Sequence, residues 1–314
     1  MHPKRHVISQ SPFYRLHSCK RLAELFGFTR NQIEKIAATR VVYRERQIET
    51  KKANGKVKVR LTQEPRGELR AIHERTKRLL SRIEPPGFLF CPVKRRSYVN
   101  NAAVHAGAHE VRTIDVKDYF TSTPRRRVYW FFHSVMECET DIAAVLAHLL
   151  TVKGHLPTGS PVSPILAFYA FFDMWHAIAT LAEQCGCKIT VYMDDLTVSG
   201  TAVPEWLMWQ IRQRIFGSGL RYHKERRFTG QHAEVTGVVL REGKTVLPNR
   251  LRKRAHDLRR EPKALTQGEA RKVVLRRLKG LQAQQRQVEG TINKEPPSAC
   301  PVAQFPRRSS TYHK

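Results

Sequence analysis

The 314 residues carry 56 Lys and Arg against 27 Asp and Glu, a formal charge of +29, and 41% of them are hydrophobic. That apolar fraction is too high for a wholly disordered chain, and at about 150 residues per domain the length suggests two compact units. So large a positive excess points to a polyanion as partner, either nucleic acid or an anionic membrane face.

The membrane is the weaker candidate. The most apolar stretch, Ser163 to Ala182, has Asp173 near its middle and His176 close by, whereas a spanning helix needs about 20 apolar residues with few or no charges. No apolar core follows the basic first residues, so no secretory leader is expected. Six cysteines are scattered, and Cys185 and Cys187 lack the second pair of a zinc site. Reduced thiols in a cytoplasmic protein are expected.

In chain order, residues 1–50 read mostly as helix, with Leu22, Leu25, Phe26, Ile33 and Ile36 at helical spacing. A charged hairpin follows, with an Asn54-Gly55 turn and alternating Val57, Val59 and Leu61 on its returning strand. Helical periodicity resumes from Glu68 to Ile83, and Val111 to Val116 is strand-like. Residues 125–153 read as one helix. Leu156 to Pro164 (Leu-Pro-Thr-Gly-Ser-Pro-Val-Ser-Pro) cannot be helical, and the apolar run after it starts a helix. Ile189 to Ser199 alternates on both sides of Tyr192-Met-Asp-Asp195, a tight hairpin, and Val235 to Leu240 gives another strand signal. Between Arg250 and Lys279 twelve Lys or Arg face three acids, over the apolar stripe of Leu265, Val274, Leu278 and Leu281. The organisation expected is a helical segment (1–50), a core (51–245), a basic helical appendage (246–288) and a loose tail (289–314).

Asp194 and Asp195 side by side at a hairpin tip repel one another. A divalent cation resolves that repulsion, and Mg²⁺ takes hard oxygen ligands, usually one or two carboxylates plus substrate phosphates. A second acidic cluster, Ile114-Asp-Val-Lys-Asp-Tyr-Phe120, also ends a strand pattern. If the two meet, three carboxylates suit two metals about 3.5–4 Å apart, the arrangement for in-line phosphoryl displacement. Taken alone, Asp-Asp equally suits a solvated turn.

Tyr192-Met-Asp-Asp195 between two short strands resembles the catalytic signature of reverse transcriptases. Ile114 to Phe120 resembles their first palm motif, and Leu156 to Pro164 their Q-G-x-P-x-S-P motif, in the expected order. Asn101-Ala-Ala-Val-His105 matches the N-A-x-x-H pattern of bacterial retron reverse transcriptases, and Val235-Thr-Gly237 their V-T-G triplet. Arg60-Leu-Thr-Gln-Glu-Pro65 resembles their fingers region. The resemblance covers roughly residues 55–245. It implies an α+β right-hand polymerase fold of fingers and palm followed by a small helical thumb.

It further implies that Asp115, Asp194 and Asp195 bind two Mg²⁺. Phe120 falls where a bulky ring screens the sugar 2′-hydroxyl, and Asp118 and Tyr119 where backbone meets the triphosphate. Arg60 corresponds to a triphosphate-clamping arginine, and Gly159 lets backbone approach the incoming nucleotide and template. Asn101, His105, Arg250, Arg252, Lys253, Arg254, Arg276 and Arg277 are the RNA contacts expected. Three departures stand out: Met193 where Ala is common, Thr158 where Gln is usual, and Arg226 at a late lysine, whose proton-donor role Lys224 would have to take. The partners implied are a structured non-coding RNA that is template and 2′-hydroxyl primer, its branched DNA product, dNTPs, host RNase H and an effector or toxin protein of anti-phage defence. A group II intron-like or other defence polymerase, a two-metal nuclease and a non-catalytic RNA-binding protein are the alternatives.

Overall fold

The computed structural model describes residues 5–39, 43–51, 57–230, 232–264 and 269–290. Two short helices open it, α1 (Cys19–Phe26) and α2 (Arg30–Ala38). Ser18 caps the first, and a reciprocal Thr29–Gln32 capping box starts the second. Leu22, Phe26, Ile33 and Ile36 bury the shared face. Strands β1 (Tyr43–Lys51) and β2 (Val57–Pro65) then form an isolated antiparallel hairpin in register from Tyr43↔Pro65 to Lys51↔Val57. The strand therefore begins inside the span expected to be helical. Its charged alternation, Tyr-Arg-Glu-Arg-Gln-Ile-Glu-Thr-Lys, carries little apolar signal, and pairing with β2 decides its conformation. The expected Asn54-Gly55 turn lies outside the described residues, as do Leu265 and most of the expected tail.

The chain continues through α3 (Gly67–Leu80), β3 (Leu89–Cys91), α4 (Tyr98–Ala103), β4 (Glu110–Val116), α5 (Arg125–Trp130) and α6 (Thr140–Leu149). The single helix expected over 125–153 is thus two, separated by a wide π turn at Phe131–Val135 and a break at Glu137, whose φ is +53°. A tertiary clamp holds the break: Tyr14 Oη and Arg15 Nε donate to the Glu137 carboxylate at 2.9 and 2.8 Å. Next come α7 (Ser163–Ala170) and α8 (Phe172–Gln184), bent by 68° at Phe171. Among the described residues no single helix is long and apolar enough to cross a membrane, and nearly all of α7 is core.

The remaining elements are β5 (Lys188–Tyr192), β6 (Asp195–Gly200), α9 (Glu205–Gly217), β7 (Tyr222–Thr229), β8 (His232–Val235), β9 (Val238–Arg241), β10 (Lys244–Val246), α10 (Asn249–Ala264) and α11 (Glu269–Glu289). The strand expected at Val235–Leu240 is a hairpin instead, turned at Thr236 and Gly237, both at positive φ. The central sheet runs β3-β5-β6-β4-β7 and the small sheet β10-β9-β8. The architecture is mixed α/β.

The two faces of the central sheet differ in chemistry. Ile114, Val116, Val191, Leu196 and Val198 join Trp175 and Ile178 of α8 and Leu207, Ile211 and Ile215 of α9 in the main core. The other face bears Asp115, Asp195, Thr190, Thr197 and Ser199, the alternation that half-buried strands require. Buried hydroxyls need partners. His105, itself 1% exposed, supplies them, with Nδ1 2.7 Å from Ser199 Oγ and Nε2 2.7 Å from Thr190 Oγ1. One neutral imidazole thus staples β5 to β6.

Burial lowers the pKa of His105 to about 3 and those of His73 and His176 to about 4. In each the unfolded chain takes up a proton near pH 6.5 that the folded chain refuses. Their contribution to stability is complete above about pH 6.5 and is lost progressively as pH falls from there to the folded values. The urea midpoint of His105→Gln should be lower than wild type at pH 7.5, by the equivalent of about 1–3 kcal/mol for disrupted buried hydrogen bonds. Its further loss between pH 7.5 and 5 should be smaller than that of the wild type, because glutamine does not titrate.

Candidate active site

The tip of the β5–β6 hairpin is two residues long. Tyr192 pairs with Asp195, leaving Met193 and Asp194 in the turn. Met193 takes φ +61°, a left-handed conformation costly for a side chain with a Cβ. The adjacent strand fixes the tip, since the Val116 N–H donates to the Asp194 carbonyl at 2.9 Å. In that register Asp115 of β4 stands directly opposite Asp195 of β6, which brings Cβ atoms within about 4.5–5.5 Å. Two acidic clusters some 80 residues apart in sequence therefore meet.

The meeting is electrostatically strained. Burial raises the pKa of Asp194, and Asp115 adds to the effect. Burial, then Asp194 and Asp115, pushes Asp195 up to about 7. Cations lean in without cancelling this: Arg60 and His223 act on Asp194, and Lys224 and Arg226 on Asp195. His223 Nε2 lies 3.5 Å, and Lys224 Nζ 4.0 Å, from Asp115 Oδ2. Among the described residues no three His, Cys, Asp or Glu groups are gathered tightly enough to enclose an ion unaided. Hard carboxylate oxygens under mutual repulsion are nevertheless the donor set Mg²⁺ accepts, with phosphate and water filling the remaining positions.

The residues around the aspartates divide by what they touch. Asp118 is exposed in the turn after β4 at φ +49°, its carbonyl accepting from the Ser122 N–H at 2.8 Å. Tyr119 points inward: its hydroxyl donates to the Ala167 carbonyl and accepts from Trp175 Nε1, both at 3.0 Å. Its carbonyl accepts from Thr123 Oγ1 at 2.7 Å. The Phe120 ring, half-buried, leans on Tyr119 with centroids 6.1 Å apart. Arg60 is exposed on β2. By register Arg46 and Arg44 of β1 lie opposite Thr62 and Glu64 and share its face. Both arginines and His223 escaped the sequence reading, although the Arg-x-Arg alternation of β1 was the available signal.

Gly159, expected to let backbone approach a nucleotide, is itself packed against β2. A Cβ there would come 2.6 Å from Thr62 Cγ2 and 2.9 Å from the Gln63 carbonyl, so glycine is required by the approach of this loop to β2. The Gly159 N–H donates to the Gln63 carbonyl at 3.0 Å. Thr158 completes the clasp, accepting from the Gln63 N–H at 3.2 Å and donating to the Leu61 carbonyl at 2.7 Å. Ser160 bonds the buried His73 Nδ1 at 2.6 Å. The loop and the strand carrying Arg60 are thereby one unit.

Asn101 and His105, expected as RNA contacts, are both 1% exposed and face the interior. Asn101 Nδ2 reaches Thr236 Oγ1 at 3.4 Å, and Thr236 Oγ1 donates to the Tyr98 carbonyl at 2.9 Å. The N-A-x-x-H and V-T-G segments are therefore contact partners. Of the basic residues, Arg250 pairs with Glu234 at 2.8 Å and Arg252 with Glu289 at 3.3 Å. Lys253, Arg254, Arg276 and Arg277 are exposed.

No family model matches the chain. Several retron reverse transcriptases are its homologues. The Ec86 enzyme of Escherichia coli is 31% identical over 162 residues, 51% of this chain and 50% of the relative. The Mx65 enzyme of Myxococcus xanthus is 30% identical over 206 residues (59% and 46%), and the Se72 enzyme of Salmonella heidelberg 26% over 180 (57% and 47%). The chain spans about half the length of the curated relatives it matches.

The clasp is open to test. Gly159→Ala should lower the thermal midpoint by the equivalent of about 1–3 kcal/mol, the usual cost of overpacking. Thr158→Val, which keeps the shape and removes both hydrogen bonds, should cost less, and differential scanning calorimetry ranks the two.

Proposed function

We propose that this chain is an RNA-directed DNA polymerase of the retron type. It binds a structured non-coding RNA, primes from a 2′-hydroxyl within it and copies part of it into single-stranded DNA that stays branched to the RNA. The observation that carries this reading is the register pairing of Asp115 with Asp195, with Asp194 at the same tip, in a homologue of retron reverse transcriptases. In it, β1–β2 and α3 serve as fingers, the central sheet as palm, and α10–α11 as thumb of a right-hand polymerase.

Asp115, Asp194 and Asp195 would hold two Mg²⁺, which when bound supply activation of the 3′-hydroxyl and charge neutralisation at the phosphate. The other residues bind and orient. Arg60, on a strand clasped to the Gly159 loop, offers a guanidinium fork to the triphosphate, with Arg46 on the same face. Asp118 and Tyr119 offer backbone to it. The Phe120 ring excludes a 2′-hydroxyl from the sugar site and so selects deoxynucleotides. Lys224, beside Asp115, can release a proton to the departing pyrophosphate, which an arginine at 226 cannot. Exposed Lys253, Arg254, Arg276 and Arg277 grip the RNA or the template–primer duplex. Trimming of the template falls to host RNase H, and the RNA–DNA product works with an effector in anti-phage defence.

The protein purified with the RNA encoded beside its gene, given dNTPs and Mg²⁺, should yield discrete DNA products that Asp194→Asn abolishes. DNA from both proteins would refute the catalytic assignment, and DNA from neither would favour a binding-only protein. Mg²⁺ should raise the thermal midpoint of the wild type and leave that of Asp195→Asn unchanged. Phe120→Ala should raise ribonucleotide incorporation relative to deoxynucleotide by at least about tenfold, the loss of one steric filter worth about 1.4 kcal/mol, read by primer extension with each nucleotide set.

A further inference from the structure

We propose that the outer face of α9, behind the sheet that bears the aspartates, is a stacking track for single-stranded nucleic acid. This goes beyond the polymerase reading and needs no catalysis to be tested. The helix buries Leu207, Met208, Ile211 and Ile215 against the sheet. Its opposite side carries large aromatics among its polar residues. Trp206 is 53% exposed, Trp209 51% and Phe216 36%. At 100° per residue these three and Gln213 fall within one 80° arc, a stripe running about 15 Å along the axis. Large aromatics so exposed on one face mark a binding surface.

The stripe continues toward the catalytic turn. Phe216 stacks on Tyr222 of β7, centroids 5.5 Å apart and planes 21° from parallel, and the Arg221 guanidinium lies 5.1 Å from the Phe216 centroid. The Arg221 carbonyl accepts from the Lys117 N–H at 2.7 Å, two residues after Asp115. One end of the track is therefore fastened to the end of β4, on the side of the sheet opposite the carboxylates.

Charge selects the occupant. Arg221 is exposed, and the exposed Arg126 guanidinium lies beside Gly219. The sole acids of α9 and β7, Glu205 and Glu225, are both held by Arg112 and Arg212. Flat π-faces in line with arginines, and carboxylates already neutralised, are what a single strand needs: bases stack without regard to sequence and phosphates find cations. An apolar protein partner would use the rings and gain nothing from the guanidinium groups.

The remaining tryptophans are the buried Trp175 and the half-buried Trp130, so fluorescence reads the stripe. Titrating the protein with oligo(dT) should quench emission saturably, and salt should weaken the binding. Trp206→Ala/Trp209→Ala should lose the quench and bind the oligonucleotide at least about tenfold more weakly, given the usual contribution of base–aromatic stacking. Arg221→Glu, with every tryptophan intact, should weaken the quench as well. Unchanged affinity in both variants would overturn the proposal. Loss of a dimer on gel filtration of the double variant, with oligonucleotide binding intact, would overturn it too and make the stripe a protein interface.

Discussion

Everything at the candidate site depends on carboxylates being pressed together by main-chain register. The bond from the Val116 N–H to the Asp194 carbonyl and the pairing of β4 with β6 leave Asp115, Asp194 and Asp195 no freedom to relax apart. Burial first, and the neighbouring carboxylates after it, raise the pKa of Asp195. Arg60, His223, Lys224 and Arg226 only moderate the repulsion. Carboxylates crowded in this way favour any positive charge that comes near them, and the rest of the fold holds them in that state.

The holding is done on both faces of the sheet. Behind it, α8 and α9 close an apolar core with Trp175 at its centre. At the far end of β4, the nearly buried Arg112 binds Glu110, Glu205 and Glu225, so that β4, β7 and α9 share one charge network. A buried arginine whose partners were removed would be strongly destabilising, which makes this network a condition of the site's geometry although it lies away from it.

How much of this was legible in the sequence varies by residue. The aspartate hairpin was, because alternation around a two-residue tip is local information. The order of the motifs and the homology could be read from the residues themselves. That Asp115 meets Asp195 required long-range register, which no local pattern carries. The break at Glu137 was hidden because its cause is Tyr14 and Arg15. His105 stood out by motif, yet its partners Thr190 and Ser199 lie on strands far along the chain, and the same holds for Gly159 and β2. Strand β1 was missed because its faces are charged rather than alternately apolar.

The segment from Tyr98 to His105 joins more of the molecule than its length suggests. Tyr98 accepts from Gln284 of α11 through its hydroxyl and from Thr236 through its carbonyl, while seven residues later one imidazole grips both strands of the aspartate hairpin. The foot of the basic helical pair and the brace beneath the carboxylates are thus a single lever. Force applied to α11 would reach the hairpin through that lever, so the outer helices and the aspartate turn belong to one continuous linkage.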